Sequence, residues 1–125
     1  MFNALIITAI VSLVLVSLAH SIIGERRLIG PLLDSRSHPV LDNDLGRFVV
    51  RYAWHATSIM WMAMAVILYA IAFAPENLSK IVLWAIGGSF TFMGVFDLIG
   101  SQGKHVGWPL LSAIGVFSLA AGFAS

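Results

Sequence analysis

Four long apolar runs alternate with three polar connectors along the chain. The first run, Phe2 to Ile23, carries no charged residue. The second, Phe48 to Ala74, is broken only by Arg51 and His55, in "RYAWHATSIMWMAM". The third, Ile81 to Ile99, holds only Asp97, close to its end. The fourth begins at His105 or Trp108 and ends at Ala124. A helix needs roughly 20 apolar residues to cross a bilayer, with about 17 as the lower limit, so the fourth run is the shortest candidate. The pattern predicts an all-α fold with one membrane domain over residues 1–125. Within it we expect an integral membrane four-helix bundle of up-down topology, with spans at 2–23, 48–74, 81–99 and 105–124. The first run lacks a positive leading region and exceeds the roughly 7–15 apolar residues of a signal core, so it reads as a retained span.

The connectors differ. "APENLSK" is a tight turn with Pro75 as a stop, and "GSQGK" joins the third and fourth runs. "GERRLIGPLLDSRSHPVLDNDLGR" is long, charged and broken by Pro31 and Pro39. Its "RLIGPLL" part is expected to lie flat in the membrane interface, with Asp42 or Asp44 capping the second long helix. His38 stands in this Pro-flanked loop and takes no assigned role.

Composition changes the solvent rather than the elements. The chain is 59% hydrophobic and only 10% charged, against about a quarter charged in soluble domains. Too little polar surface exists to cover a globule in water, so the lipid bilayer is the expected surrounding. The net charge of +1 leaves no electrostatic footprint for nucleic acid. Cysteine is absent, which excludes disulfides and thiol nucleophiles. No phosphate loop, nucleophile elbow or carboxylate pair for hydrolysis is present.

Charge placement predicts orientation. With four spans, the first and third connectors share a side that carries Arg26, Arg27, Arg36, Arg47, Arg51 and Lys104, while Lys80 alone lies opposite. The positive-inside bias makes the crowded side cytoplasmic. A cytoplasmic (inner) membrane protein with both termini outside follows.

The same arithmetic gathers the candidate chemistry. His20 closes the first run and His55 opens the second; Asp97 closes the third and His105 opens the fourth. All four come to the crowded side at similar depth, with Glu25, Arg51 and Gln102. Ionisable groups within a span cost about 2.5–3.5 kcal/mol each and usually face the bundle interior. Arg51, His55, Ser58 and Met62 share one helical stripe, as do Gly87, Gly94, Asp97 and Ser101. Glycines on such a stripe let a neighbouring backbone approach closely. Ser17 shares a face with His20, and Ser112 with His105.

Three histidines and a carboxylate suit haem b. Neutral imidazole is a standard axial ligand, and the propionates need cationic partners at the membrane edge. Arg51, one turn from His55, is placed for that, as are Arg26 and Arg27. Two axial imidazoles must flank a flat macrocycle, so their helices cannot touch. Packed helices lie about 8–10 Å apart, and in a square bundle the second and fourth are diagonal. His55 and His105 are then the expected axial pair, with His20 at the side. Electron transfer with a membrane quinone would be the associated function.

"HSIIGERRLI" bears on this reading. His20, then Gly24, then Arg26 resembles the haem-ligand stretch of the membrane-anchor subunits of succinate dehydrogenase, where a helix-end histidine precedes glycine and arginine. The resemblance spans about ten residues and implies that His20 is itself a ligand, against the diagonal pair. The aspartate that follows in that family has no clean match, since Pro31 stands nearby and Asp34 lies further on.

A non-haem metal centre is the alternative. His20, His55 and His105 with Glu25 or Asp97 would suit zinc or iron, and an open position would activate a water. Copper would draw on Met60, Met62 and Met64, although Met62 points away from the other two. The third reading has no prosthetic group. A small membrane protein of this kind would be an accessory or assembly subunit of a larger membrane complex, or a homodimer, with its polar layer a docking surface or small proton relay. In that reading each histidine is bonded to a serine or carbonyl, and Asp97 pairs with Arg51 to pin the bundle. Trp54, Trp61, Trp84 and Trp108 then serve as core or interface anchors.

Overall fold

A backbone in hydrocarbon must satisfy its own N–H and C=O groups, and the chain does so with helices. The computed structural model describes residues 1–125. Its helices are α1 (Phe2–Gly24), α2 (Gly30–Ser35), α3 (Pro39–Asp42), α4 (Asp44–Phe73), α5 (Leu78–Gly100) and α6 (Trp108–Ala124), with no strand. A π-helical turn, Glu25–Ile29, joins α1 to α2, and a 3-10 turn, Pro75–Asn77, joins α4 to α5. Three helical stretches are long and apolar enough to cross a membrane: Phe2–Ser35, Asp44–Phe73 and Pro75–Gly100. The last helix, α6, has 17 residues and is shorter than these.

The first connector departs from the expected flat segment. "RLIGPLL" continues the helical path of α1 through the π turn, which closes with the Gly30 N–H on the Glu25 carbonyl. A side chain on Gly30 would lie 2.9 Å from that carbonyl oxygen, so glycine permits the turn. From the last residue of that turn onward, Ile29, Leu33 and Leu41 form a small buried core against Val50 and Trp54 of α4. Burying these side chains against α4 outweighs laying them in the interface.

Asn43, not Asp42 or Asp44, caps α4: its Oδ1 accepts from the Leu45 N–H at 2.8 Å. The extended backbone of Asn43 (φ −94°, ψ 130°) suits a cap. Asp44 is already helical and pairs with Arg47. His38 caps α3, its Nδ1 accepting from the Val40 N–H at 3.2 Å. At the end of α5, Gln102 (φ 54°) and Gly103 (φ 74°) turn left-handed. Gly103 N–H then reaches the Leu98 carbonyl and Gln102 N–H the Ile99 carbonyl, the Schellman pair of bonds.

Each long helix runs antiparallel to the one before it. Gly24 meets Trp54 and Ser21 meets Ser58 between α1 and α4. The Tyr52 hydroxyl donates to the Met93 carbonyl between α4 and α5. The α5–α6 contact is the most extensive and is set by small residues. A methyl on Gly94 would lie 2.6 Å from the Ser112 amide nitrogen, and one on Gly87 2.8 Å from that of Leu119. The backbones therefore approach as closely as small side chains allow.

Packing is serial: α1 lies chiefly on α4, α4 on α5, and α5 on α6. The square that would put α4 and α6 on a diagonal is not closed by comparable packing of α6 on α1. Glycines draw α6 onto α5, and Trp54 and the serines draw α1 onto α4.

Candidate functional site

Antiparallel packing brings the end of α1, the start of α4, the end of α5 and the connector before α6 to one end of the molecule. The expected layer of polar groups lies there, but it is divided into two carboxylate–imidazole pairs.

The first pair spans α1 and α4. Glu25 opens the π turn, a helical irregularity common at functional sites. Its Oε1 forms an ion pair with Arg51, 2.9 Å from Nη2, and its Oε2 lies 3.2 Å from His55 Nε2. His55 Nδ1 lies 3.0 Å from Ser21 Oγ, and Ser21 Oγ lies 2.9 Å from Ser58 Oγ. Both imidazole nitrogens are thus held. Two proton arrangements satisfy this chain. With a neutral ring, Nε2–H donates to Glu25, and the hydroxyls run from Ser58 to Ser21 to Nδ1. With a protonated ring, Nδ1–H donates to Ser21, and Ser21 turns to donate to Ser58. Adding one proton reverses both hydroxyls.

The second pair lies between α5 and the last connector. Asp97 is fully buried, on the inward face its stripe predicts. Its Oδ2 accepts from His105 Nδ1 at 2.6 Å, so the partner is a histidine rather than Arg51. His105 Nε2 makes no hydrogen bond to the protein. A methyl on Gly107 would lie 3.1 Å from His105 Nδ1 and 3.2 Å from Asp97 Oδ2; only a bare backbone leaves the pair undisturbed.

His20 belongs to neither pair. Its ring stacks on Trp54 with centroids 3.9 Å apart at 11° and meets the edge of Trp61. Its Nε2 lies 3.3 Å from the Trp54 carbonyl. Arg26 and Arg27 are exposed and join neither pair. His20, His55, His105, Glu25 and Asp97, expected as one ligand set, do not converge: no three histidine, aspartate or glutamate side chains form a group able to hold a metal ion. Glu25 and His55 join α1 to α4, Asp97 and His105 join α5 to the last connector, and each carboxylate is taken up by its own imidazole. Met60 and Met64 line one groove, of α4 with α5 and α6, and Met62 another, of α4 with α1 and α5.

Several residues escape a reading by composition. Ser21 was the missing link between His55 and Ser58; its signal was the four-residue spacing of Ser17, Ser21 and Glu25. An aromatic pocket of about 260 Å³ adjoins His55 between α4 and α5, walled by Phe48, Tyr52, Phe92 and Phe96 with Arg51 beside them. No periodicity announces it, because its walls come from two helices. Comparison with protein-family models, with curated proteins and with solved structures returns no match.

Proposed function

We propose that this is a four-span, up-down protein of the cytoplasmic membrane, both termini outside, whose cytoplasmic layer relays protons for a larger membrane assembly. The carrying observation is His55, held on one side by Glu25 and on the other by the Ser21–Ser58 hydroxyl pair. A proton taken by His55 is passed to Glu25 or returned through reversal of the two hydroxyls. Arg51 keeps Glu25 oriented, leaving its second oxygen for the imidazole. The aromatic pocket beside His55 is where a membrane quinone or similar ring-headed lipid would meet this pair.

Nitrogen-15 spectra of the histidine rings, recorded in lipid nanodiscs, test the relay by showing which nitrogens of His55 carry protons. A neutral His55 should hold its proton on Nε2, toward Glu25, with Nδ1 bare toward Ser21. Ser21→Ala should uncouple Nδ1 and change the neutral tautomer. A His55 spectrum indifferent to Ser21→Ala would end the reading.

One observation favours haem b as the second reading. An imidazole with Nδ1–H on a carboxylate and a free Nε2 is the arrangement of a ligating histidine, and His105 has it. His55 would fit only by giving up Glu25 or Ser21. Bound iron would supply one-electron chemistry; His105 would hold it, and Asp97 would fix the ring. A Soret band lost in His105→Ala would favour this reading; colourless, iron-free wild-type protein from iron-replete cells would end it.

A further inference from the structure

The π turn sorts three consecutive charged residues. Glu25 turns inward to Arg51 and His55, while Arg26 and Arg27 are exposed. Neither arginine enters an ion pair; those of this end hold Arg47 to Asp44, Arg51 and His55 to Glu25, and His105 to Asp97. The two guanidiniums therefore present positive charge and unused N–H donors outward, with the adjacent carboxylate withdrawn to the other face.

Depth decides what they meet. Ala4 to Ile23 is a stretch of 20 uncharged residues, about 30 Å of helix at 1.5 Å per residue. The hydrocarbon core of a bilayer is also about 30 Å thick, and the headgroup layers bring the total to about 40–45 Å. Arg26 and Arg27 follow Ile23 closely enough to stand about 4–6 Å beyond the hydrocarbon, within the headgroup layer. A tilt of about 20° changes these lengths by less than a tenth. Ile22 and Ile23, one turn before the arginines and on the same face, are exposed as well. A phospholipid carries its groups in this order, with an acyl chain for the isoleucines and a phosphate for the arginines. Free phosphate or an acidic protein segment would match the charge and leave the isoleucines unused. We infer that Arg26 and Arg27 form a site for the phosphate of an anionic phospholipid in the leaflet at the His55 end of the molecule. Guanidinium groups take phosphate oxygens in paired hydrogen bonds, and an anionic headgroup brings no ammonium to oppose them. The site is independent of the His55 relay and requires only that α1 lies in the bilayer.

The test uses the full chain in a neutral detergent, with native mass spectrometry reading its affinity for phosphatidylglycerol and for phosphatidylcholine. The wild type should bind phosphatidylglycerol the more tightly. Arg26→Gln/Arg27→Gln should lose about tenfold or more of that affinity, at about fivefold per arginine, with much less change for phosphatidylcholine. Arg26→Lys/Arg27→Lys keeps the charge and should keep most of the affinity. Lys80→Gln, at the opposite end where the ammonium lies over the Trp84 ring, should match the wild type. Equal affinity of the wild type for the two lipids overturns the inference, as does unchanged phosphatidylglycerol binding in the glutamine double variant. Displacement of the lipid by an equal concentration of inorganic phosphate also overturns it, since that marks a site for the free ion. Should the double variant not fold, Arg26→Gln and Arg27→Gln decide singly. Each should lose about fivefold, and no loss in either overturns the site.

Discussion

The Trp54 indole lies parallel to the His20 ring, 3.9 Å between centroids, while its Nε1–H donates to the His20 carbonyl at 3.0 Å. One side chain of α4 therefore grips both the ring and the backbone of one residue of α1. Its far edge fills the space over Gly24, where a methyl would come within 2.6 Å of Trp54 Cζ2. Trp54→Phe should cost about 0.5–1.5 kcal/mol, the worth of the lost hydrogen bond. Trp54→Ala should cost about 3–5 kcal/mol, as other large aromatic truncations do. Unfolding in mixed micelles with increasing SDS measures both, and equal losses would mean that the hydrogen bond is immaterial.

The α5–α6 seam makes an opposite pair of predictions. Gly94→Ala drives a methyl into the Ser112 backbone and should destabilise by about 1–3 kcal/mol, the usual cost of overpacking. Gly88→Ala meets nothing within 4 Å and should stabilise the helix by up to about 1 kcal/mol through backbone propensity. The same SDS titration reads the two signs. Losses of equal size would contradict the close approach of the two helices.

Asp97→Leu should unfold the protein at lower denaturant, by about 1.5–3 kcal/mol, the range for a hydrogen bond to a charged group. The His105 Nδ1–H loses its acceptor, whereas Asp97→Asn retains a carbonyl oxygen and should cost less. Gly107→Ala should separate the same pair without removing either partner. The His105 ring signals should move in all three variants, and a His105 spectrum indifferent to Asp97→Leu would disprove the pairing.

The proposed orientation rests on Arg26, Arg27, Arg36, Arg47, Arg51 and Lys104 toward one end against Lys80 toward the other. Alkaline phosphatase fused to either terminus should be active outside the cytoplasmic membrane. Activity of a cytoplasmic reporter from both ends would reverse the assignment, and with it the side from which the polar layer is reached.

The apolar runs by themselves determined the long helices, since uninterrupted hydrophobic sequence has no other way to satisfy its backbone in a bilayer. The placement of His20, His55, Asp97 and His105 near run ends also determined that they share one end of the molecule, because antiparallel neighbours alternate direction. The stripe of Gly87, Gly94 and Asp97 was legible for the same reason: helical period fixes which residues share a face. Tertiary structure alone decided the partners. Which carboxylate His55 meets, Glu25 or Asp97, depends on which helices touch. That was settled by the fit of Trp54 over Gly24 and of Gly94 against Ser112, contacts between residues far apart in sequence. The cap at Asn43 and the π turn at Glu25 were hidden likewise. Each turns on a local backbone choice between near-equal alternatives, which packing of Ile29, Leu33 and Leu41 on α4 resolves.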